Sequence, residues 1–211
     1  MNVKAGGSGP TPQPATEALA RRAAEGDTRA FEGLVTRIRP RLALWIESRM
    51  GPLLRGRLQP EDVFQETMVQ VVRSLEAFVD QGPGSFSKWL FSVAEHRMHD
   101  LHKHHAAERR HPRREASPAL SDAQRQLMER VTSPMPSPGG AAHRQERLRR
   151  LAEAVRSLPD PYREVLILRG IQEATLHEVS EKLRRPLSTV QGQFVRALGM
   201  LRDALDTGLR L

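Results

Sequence analysis

Cysteine is absent from the chain, and so is any long apolar segment. Without cysteine the protein has no disulfide and no thiolate metal ligand. No apolar run approaches the ~20 residues that a transmembrane helix needs. Residues 1–15 lack the apolar stretch of a secretory signal and are expected to form a disordered leader. These absences together predict a cytoplasmic protein without membrane insertion.

Strand-like alternation is also missing, and aromatic residues make up only 4% of the chain. Apolar residues instead recur at helical spacing, as in Phe31, Leu34, Val35, Ile38 and Leu42. Asp27 is placed to cap this helix, and Pro40 should kink or interrupt it. Further helices are expected over 61–78 and from residue 86 to residue 101. We therefore predict an all-α fold.

Five prolines and two adjacent glycines lie between residues 112 and 144. This composition predicts a flexible linker, in which residues 121–131 form no more than a transient turn or two. The apolar helical period resumes after the linker. The predicted organisation is a leader at 1–15, a helical domain at 16–111, the linker at 112–144 and a smaller helical domain at 145–211.

Basic residues outnumber acidic ones by 33 to 25, which gives a formal net charge of +8. That balance favours a polyanionic partner, and nucleic acid is the usual one, although an ordinary basic protein carries the same charge. Between residues 97 and 114 there are six basic residues and two acidic ones, and six of the eight histidines lie at 96–111. Such residues suit phosphate contacts that position a protein without reading sequence.

The histidine cluster raises the alternative of a metal site. His99 and His102 are one helical turn apart, which permits two ligands, but no carboxylate or cysteine completes the set at a familiar spacing. No metal and no cofactor are predicted. Paired carboxylates, a nucleophile constellation and a phosphate-binding loop are missing as well, which argues against an enzyme.

The stretch TLHEVSEKLRRPLSTVQGQFVRAL reads as two short helices around a tight corner. Thr175 with Glu178, and Ser188 with Gln191, match the capping-box pattern of a helix start. The four residues at 184–187 form a corner of the length that a helix-turn-helix uses. The alternative is an ordinary helical hairpin within a core. The outward face of the second helix carries Thr189, Gly192, Gln193 and Arg196.

Three segments, in order, carry a family resemblance. EDVFQETMVQVVRSLEAF at 61–78 resembles the core-polymerase-binding segment of bacterial sigma factors. FSKWLFSVAEHRMHDLHK at 86–103 is similar to the helix with which they engage the promoter minus-ten element. The segment from LPDPYREVLILRGI to FVRALGMLR, at 158–202, resembles their minus-thirty-five-binding domain. Two domains with only a variable linker between them are typical of the extracytoplasmic-function (ECF) subfamily.

The resemblance implies that the helix at 61–78 docks on a coiled coil of the largest polymerase subunit. The alternative for the same residues is a solvated helix face. The polar stripe that matches the family pattern, at i, i+3, i+4 and i+11, consists of Asp62, Gln65, Glu66 and Arg73.

The resemblance places minus-ten binding on the next helix and the basic residues that follow. Family members bind unstacked bases of the non-template strand there, so the binding energy stabilises the opened DNA. His96 stands where asparagine is common in the family. The implied minus-ten residues are His96, Arg97, His99, Asp100, Lys103, Arg109 and Arg110.

The helix-turn-helix departs from the family pattern at four positions. Gln191 and Gln193 stand where many members carry lysine or arginine, Arg184 where they carry glycine, and Arg185 where they carry an apolar residue. Gln193 can pair with an adenine edge, while nearby arginines contact phosphates. The implied DNA-binding residues are Thr175, Arg184, Arg185, Ser188, Thr189, Gln191, Gly192, Gln193 and Arg196.

The chain is thus identified as a member of the ECF sigma factors, with one domain like sigma region two and one like sigma region four. The resemblance implies a protein that binds core RNA polymerase, directs it to specific promoters and helps open promoter DNA for transcription initiation. Its expected partners are core RNA polymerase and promoter DNA, with an anti-sigma factor as a further option. Two alternatives stay open: a stand-alone helix-turn-helix regulator, and a degenerate sigma-like protein that titrates an anti-sigma factor.

Overall fold

A computed structural model of the chain describes residues 15–107, 120–132 and 138–208. Within these ranges the regular elements are helical and no strand occurs, which confirms the all-α prediction. The α-helices are α1 (Thr16–Ala24), α2 (Thr28–Arg49), α3 (Pro52–Arg55), α4 (Pro60–Ser74), α5 (Ser85–Ala107), α6 (Asp122–Thr132), α7 (Pro138–Ser157), α8 (Asp160–Val165), α9 (Leu176–Leu183) and α10 (Leu187–Gly208).

Helices α1 to α5 form an N-terminal bundle around α2. Asp27 caps α2 as predicted, because its Oδ1 accepts a hydrogen bond of 3.0 Å from the amide of Ala30. Helix α2 packs against α1 and α4, and α4 packs against α5. Burying a large apolar side chain contributes roughly 1.5–3 kcal/mol. The bulkiest fully buried side chains of the bundle are Trp45, Phe31, Phe64 and Phe86.

The sequence predicted that Pro40 would kink or interrupt α2, and the structure shows that it does not interrupt the helix. The helix runs from Thr28 to Arg49 with Pro40 inside it. Ile38 and Leu42, on either side of the proline, are 2% and 0% exposed. Their burial, together with packing on both halves of the helix, compensates for the one helical hydrogen bond that proline cannot donate.

Helices α7 to α10 form a smaller C-terminal bundle. Helix α8 continues without a break into one π-helical segment, Leu166–Ile171. The bundle has its own buried cluster of Val165, Leu168, Val179 and Val190. Helix α7 begins at Pro138, inside the segment expected to be linker, and residues 122–132 form the helix α6 rather than a turn or two.

The two bundles pack against each other. Val155 of α7 and Leu158 belong to the same buried cluster as the core residues of α2, and so does Ile171. Helix α7 and the π-helical segment both contact α2. No described helix combines the length and apolarity that a membrane crossing requires.

Candidate polymerase-docking and DNA-binding surfaces

Helix α4 presents a polar stripe on the side opposite its buried face. Its buried face includes Val63, Phe64 and Met68. The predicted docking residues lie on the other side: Asp62 is exposed, and Gln65, Glu66 and Arg73 are half-buried. Asp62 also fixes the start of the helix, because its Oδ2 accepts a hydrogen bond of 2.9 Å from the amide of Gln59. The structure therefore brings the four predicted side chains onto one face.

Glu66 and Arg97, predicted for two different surfaces, are paired with each other. The Nε of Arg97 donates to Oε2 of Glu66 at 3.1 Å, and the Nη2 of the same arginine makes a second bond. The arginine side chain is 25% exposed and the glutamate side chain 40%. This ion pair joins α4, the predicted docking helix, to α5, the predicted minus-ten helix. Sequence reasoning missed it because the two residues belong to separate motifs.

Helix α5 carries the predicted minus-ten residues on its exposed side. His96, His99, Asp100 and Lys103 are exposed, whereas Met98 and Leu101 are buried in the core. The Nδ1 of His96 lies 2.7 Å from the carbonyl oxygen of Ser92. Because a carbonyl only accepts, this contact places the proton of a neutral His96 on Nδ1. The other two predicted minus-ten residues, Arg109 and Arg110, lie outside the described residues.

No metal centre accompanies the exposed histidines: across residues 15–107, 120–132 and 138–208, no group of three or more His, Asp or Glu side chains is arranged to hold an ion.

The helix-turn-helix is formed by α9 and α10. The first predicted capping box is present: the amide of Glu178 donates to Oγ1 of Thr175 at 3.2 Å, and the amide of Thr175 donates to Oε2 of Glu178 at 2.8 Å. Val179 of α9 and Val190 of α10 are fully buried in the same apolar cluster. Helix α9 ends at Leu183, and the next residue, Arg184, adopts a left-handed conformation with φ 51° and ψ 46°.

The second predicted capping box does not form. Helix α10 begins at Leu187, so Ser188 lies inside its first turn rather than before it. The amide of Val190 instead bonds to the carbonyl of Pro186 at 3.1 Å. Pro186 has the fixed φ that a helix start needs, which accounts for the earlier beginning. The side chain of Gln191 is consequently released from the capping role that the sequence suggested.

The outward face of α10 holds the predicted base-reading residues. Ser188, Thr189, Gly192 and Arg196 are exposed, and Gln193 is half-buried. Gln191 is also exposed, about 100° around the helix from Gly192. The predicted residues of α10 thus share one solvent-facing surface, with Gln191 at its border.

Arg185 reaches inward from the corner instead of outward to solvent. Its Nη2 bonds to Oε2 of Glu164 at 3.0 Å, and its Nη1 lies 3.4 Å from Oε1 of Gln193. The same Nη1 lies 3.4 Å from the carbonyl oxygen of Pro161. An arginine where the family carries an apolar residue therefore joins α8 to the recognition helix. It also orients the amide of Gln193.

Arg41 of α2 joins the two bundles through several polar contacts. Its Nε and Nη2 donate to the carbonyl oxygen of Ile171 at 2.8 and 2.6 Å, and its Nη1 pairs with Glu173 at 2.7 Å. The hydroxyl of Ser87 also donates to Glu173, at 3.1 Å. Burial lowers the pKa of the Arg41 guanidinium, and the adjacent carboxylate opposes that effect. The guanidinium stays charged in any case.

Further ion pairs join α5 to α9. Lys88 pairs with Glu178, and Lys182 lies 3.7 Å from Glu95. The hydrogen bond from Lys88 and that from the Thr175 amide hold the pKa of Glu178 below its ordinary value. No local pattern signals such pairs, because their members stand far apart in the chain. The sequence therefore did not predict them.

Two family profiles match the chain, one over each bundle. Sigma-70 region 2 matches residues 34–108, and Sigma-70 region 4 matches residues 148–201. The two profiles together place the chain in the class of sigma-70-type transcription factors. The chain belongs to this family, in the ECF subfamily, as predicted.

Named relatives cover nearly the whole chain. The ECF RNA polymerase sigma factor ShbA of Streptomyces griseus is 31% identical over 192 residues, covering 88% of this chain and 92% of that protein. The ECF RNA polymerase sigma factor SigD of Mycobacterium tuberculosis is 26% identical over 189 residues, covering 90% and 83%. The solved structure of CnrH in complex with the cytosolic domain of CnrY is 26% identical, with a TM-score of 0.47 and coverage of 92% of this chain and 99% of that one.

Proposed function

We propose that this sigma factor docks on core RNA polymerase through the polar stripe of α4. The observation that carries the proposal is the exposure of Asp62 on the side of α4 opposite the buried Phe64. Gln65 and Arg73 extend the stripe along the helix. Glu66 contributes indirectly, because its carboxylate already holds Arg97 of α5. Membership of the sigma-70 family supports the polymerase as the partner of this stripe.

The exposed face of α5 is proposed to bind the minus-ten element. His99, Asp100 and Lys103 offer polar and charged groups that face solvent, and Lys103 lies one helical turn from both His99 and Asp100. These groups suit a separated strand, whose bases and phosphates are both accessible. Opening is then favoured because the protein binds the open strand more tightly than the duplex.

The outward face of α10 is proposed to read the minus-thirty-five element in the major groove. Thr189 and Gln193 are placed to contact base edges, and Arg196 to contact phosphate. The capping hydroxyl of Thr175 holds the start of α9, and the amides at a helix start suit a phosphate contact. Arg184 adds positive charge at the corner.

Binding rather than catalysis accounts for all of these roles, so we propose that the chain is not an enzyme and works in the cytoplasm, where the polymerase is. A protein inhibitor that holds the bundles together, of the anti-sigma type, is a further proposed partner. It is supported by the contacts that already join the bundles, such as Arg41 with Glu173.

Reconstituted transcription tests the function as a whole. The purified chain is added to core RNA polymerase with genomic DNA fragments, and transcript starts are mapped. We expect starts downstream of one shared pair of sequence elements. DNA binding without polymerase binding would instead identify a stand-alone regulator, and polymerase binding without specific starts would identify a degenerate sigma-like protein.

Asp62→Asn tests the docking surface. Asparagine keeps an oxygen that accepts from the Gln59 amide, so the start of α4 is retained while the charge is removed. We expect the affinity for core polymerase to fall about three- to tenfold, as for loss of one charge in a polar interface. The matched control is Glu76→Gln, which removes an exposed charge beyond the stripe. Equal affinities of the two variants and the parent chain would contradict docking through Asp62.

A further inference from the structure

The segment between the bundles contains a helix whose start is encoded locally. At the N-terminus of α6, the amide of Gln124 donates to Oγ of Ser121 at 3.2 Å, and the amide of Ser121 donates to Oε1 of Gln124 at 3.1 Å. This reciprocal pair is a capping box. Arg125 and Asp122 add an ion pair within the first turn. The segment thus has the local signals of a helix in its own right.

One face of α6 is docked on the N-terminal bundle. Val131 is 1% exposed and belongs to the main core cluster, and Leu127 and Met128 pack against that cluster. These three residues share one helical face, at i, i+1 and i+4. Arg125 and Gln126 face solvent. The helix contacts α4 and α2, so its apolar face fills the groove between them.

Arg39 of α2 joins α6 to the docking helix. Its Nη2 donates to the carbonyl oxygen of Val131 at 2.7 Å, and its Nη1 pairs with Glu61 of α4 at 3.2 Å. Its guanidinium also lies over the ring of Phe64, 4.3 Å from the centroid. A cation at the last carbonyls of a helix satisfies their unpaired acceptors and the negative end of the helix dipole. One arginine therefore ties the end of α6 to the first turns of α4.

We propose that α6 is an internal competitor of core polymerase for the docking helix. Glu61 and Gln65 are four residues apart and share one edge of α4, next to the docking residue Asp62. Arg39 connects this edge to α6. The helix therefore lies against the border of the surface that the polymerase covers, and it leaves when the polymerase binds. This inference rests on the proposed docking role of α4.

Because α6 belongs to the same chain as the groove, even weak binding is enough to keep the groove filled. A segment joined to its site by a short linker has an effective concentration on the order of 1 mM. If the detached segment binds the groove with a dissociation constant of about 0.1 mM, the groove is mostly filled and polymerase affinity falls about tenfold. The free chain then has a reduced affinity for core polymerase, and no second protein is needed for this reduction.

Val131→Asp is the test variant, with Leu127→Asp as a second variant on the same face. Each introduces a charge where α6 is buried and so releases the helix from the groove. Gln126→Asp is the matched control, because it adds the same charge on the exposed face. We expect both test variants to bind core polymerase about tenfold more tightly than the parent chain, and the control to bind like the parent. Hydrogen exchange of the α6 amides should show faster exchange in the test variants alone.

A synthetic peptide of residues 120–132 tests the groove in trans. Added to the Val131→Asp chain, it should lower polymerase affinity toward the parent value, whereas the same peptide carrying Val131→Asp should not. If release of α6, seen by exchange, leaves polymerase affinity unchanged or lowers it, the proposal is wrong. It is also wrong if α6 exchanges equally fast in the parent chain. If no form binds polymerase, the docking function itself fails, while peptide binding to the groove still reports on α6.

Discussion

Arg184 is held in a conformation that suits glycine better than arginine. Its φ of 51° lies in the left-handed region, which costs an L-residue roughly 1–2 kcal/mol. Glycine removes that cost, but it also makes the unfolded chain more flexible, which lowers the stability of the folded state by about 0.5–1 kcal/mol. We expect Arg184→Gly to raise the free energy of unfolding by up to about 1 kcal/mol, measured by urea denaturation. The control Glu181→Gly, inside α9, should lower it by about 1 kcal/mol.

Arg185 connects the corner of the helix-turn-helix to α8 and to Gln193 of α10. It bonds to Glu164 and orients the amide of Gln193. We expect Arg185→Leu, which restores the apolar residue typical of the family, to relax base preference at one position of the minus-thirty-five element by a few fold. Selection from randomised DNA would measure this. Glu164→Gln, which keeps a hydrogen-bond acceptor, should have a smaller effect; an unchanged preference in Arg185→Leu would mean that Gln193 is positioned without it.

At the scale of single elements, α10 carries two exposed arginines that differ in whether an acid neutralises them. Arg196 is exposed and pairs with no acid in the described part of the chain, whereas Arg202 on the same helix pairs with Asp203 at 3.2 Å. We expect Arg196→Ala to weaken promoter binding and to reduce the slope of log affinity against log salt by about one. Arg202→Ala is the matched control and should leave the slope nearly unchanged. An unaltered slope in Arg196→Ala would contradict a contact between Arg196 and phosphate.

Helices were predictable to the extent that their signals are local. The Asp27 cap, the Thr175 capping box and the apolar period of α4 all act within a few residues, and each was read correctly. The start of α10 was misplaced because Pro186 competes with Ser188 as a helix-start signal. For α6 the capping box at Ser121 was present in the sequence, but the surrounding prolines and glycines outweighed it.

Side-chain pairs between elements could not be predicted at all. Glu66 with Arg97, Arg41 with Glu173, and Arg185 with Glu164 each join residues from different parts of the fold. Their formation depends on how whole helices pack, which no local pattern reports. The described candidate site residues all lie outside the buried core, yet the sequence did not show which of them bond to one another.

At the scale of the whole molecule, the contacts between bundles conflict with simultaneous reading of two promoter elements. Ion pairs bring α5 and α9 into direct contact. The two elements lie apart along the duplex, which rises about 3.4 Å per base pair. We therefore expect the bundles to separate when both elements are bound.

Energy transfer between two dyes would measure this separation. The absence of native cysteine allows labels at Gln81→Cys and Glu181→Cys, both exposed positions. We expect transfer to fall when core polymerase and promoter DNA are added. Glu173→Lys, which places like charge beside Arg41, should lower transfer in the chain alone, and the exposed Glu76→Lys should not. High transfer in the complete promoter complex would contradict separation.

The pair between Glu66 and Arg97 couples the two binding activities that we propose for the N-terminal bundle. A polymerase subunit that draws the carboxylate toward itself leaves the guanidinium on α5 without its counterion. Single-stranded DNA that draws the guanidinium away leaves the carboxylate equally unsatisfied. By thermodynamic linkage, whatever factor the first event adds to DNA affinity, the second adds to polymerase affinity.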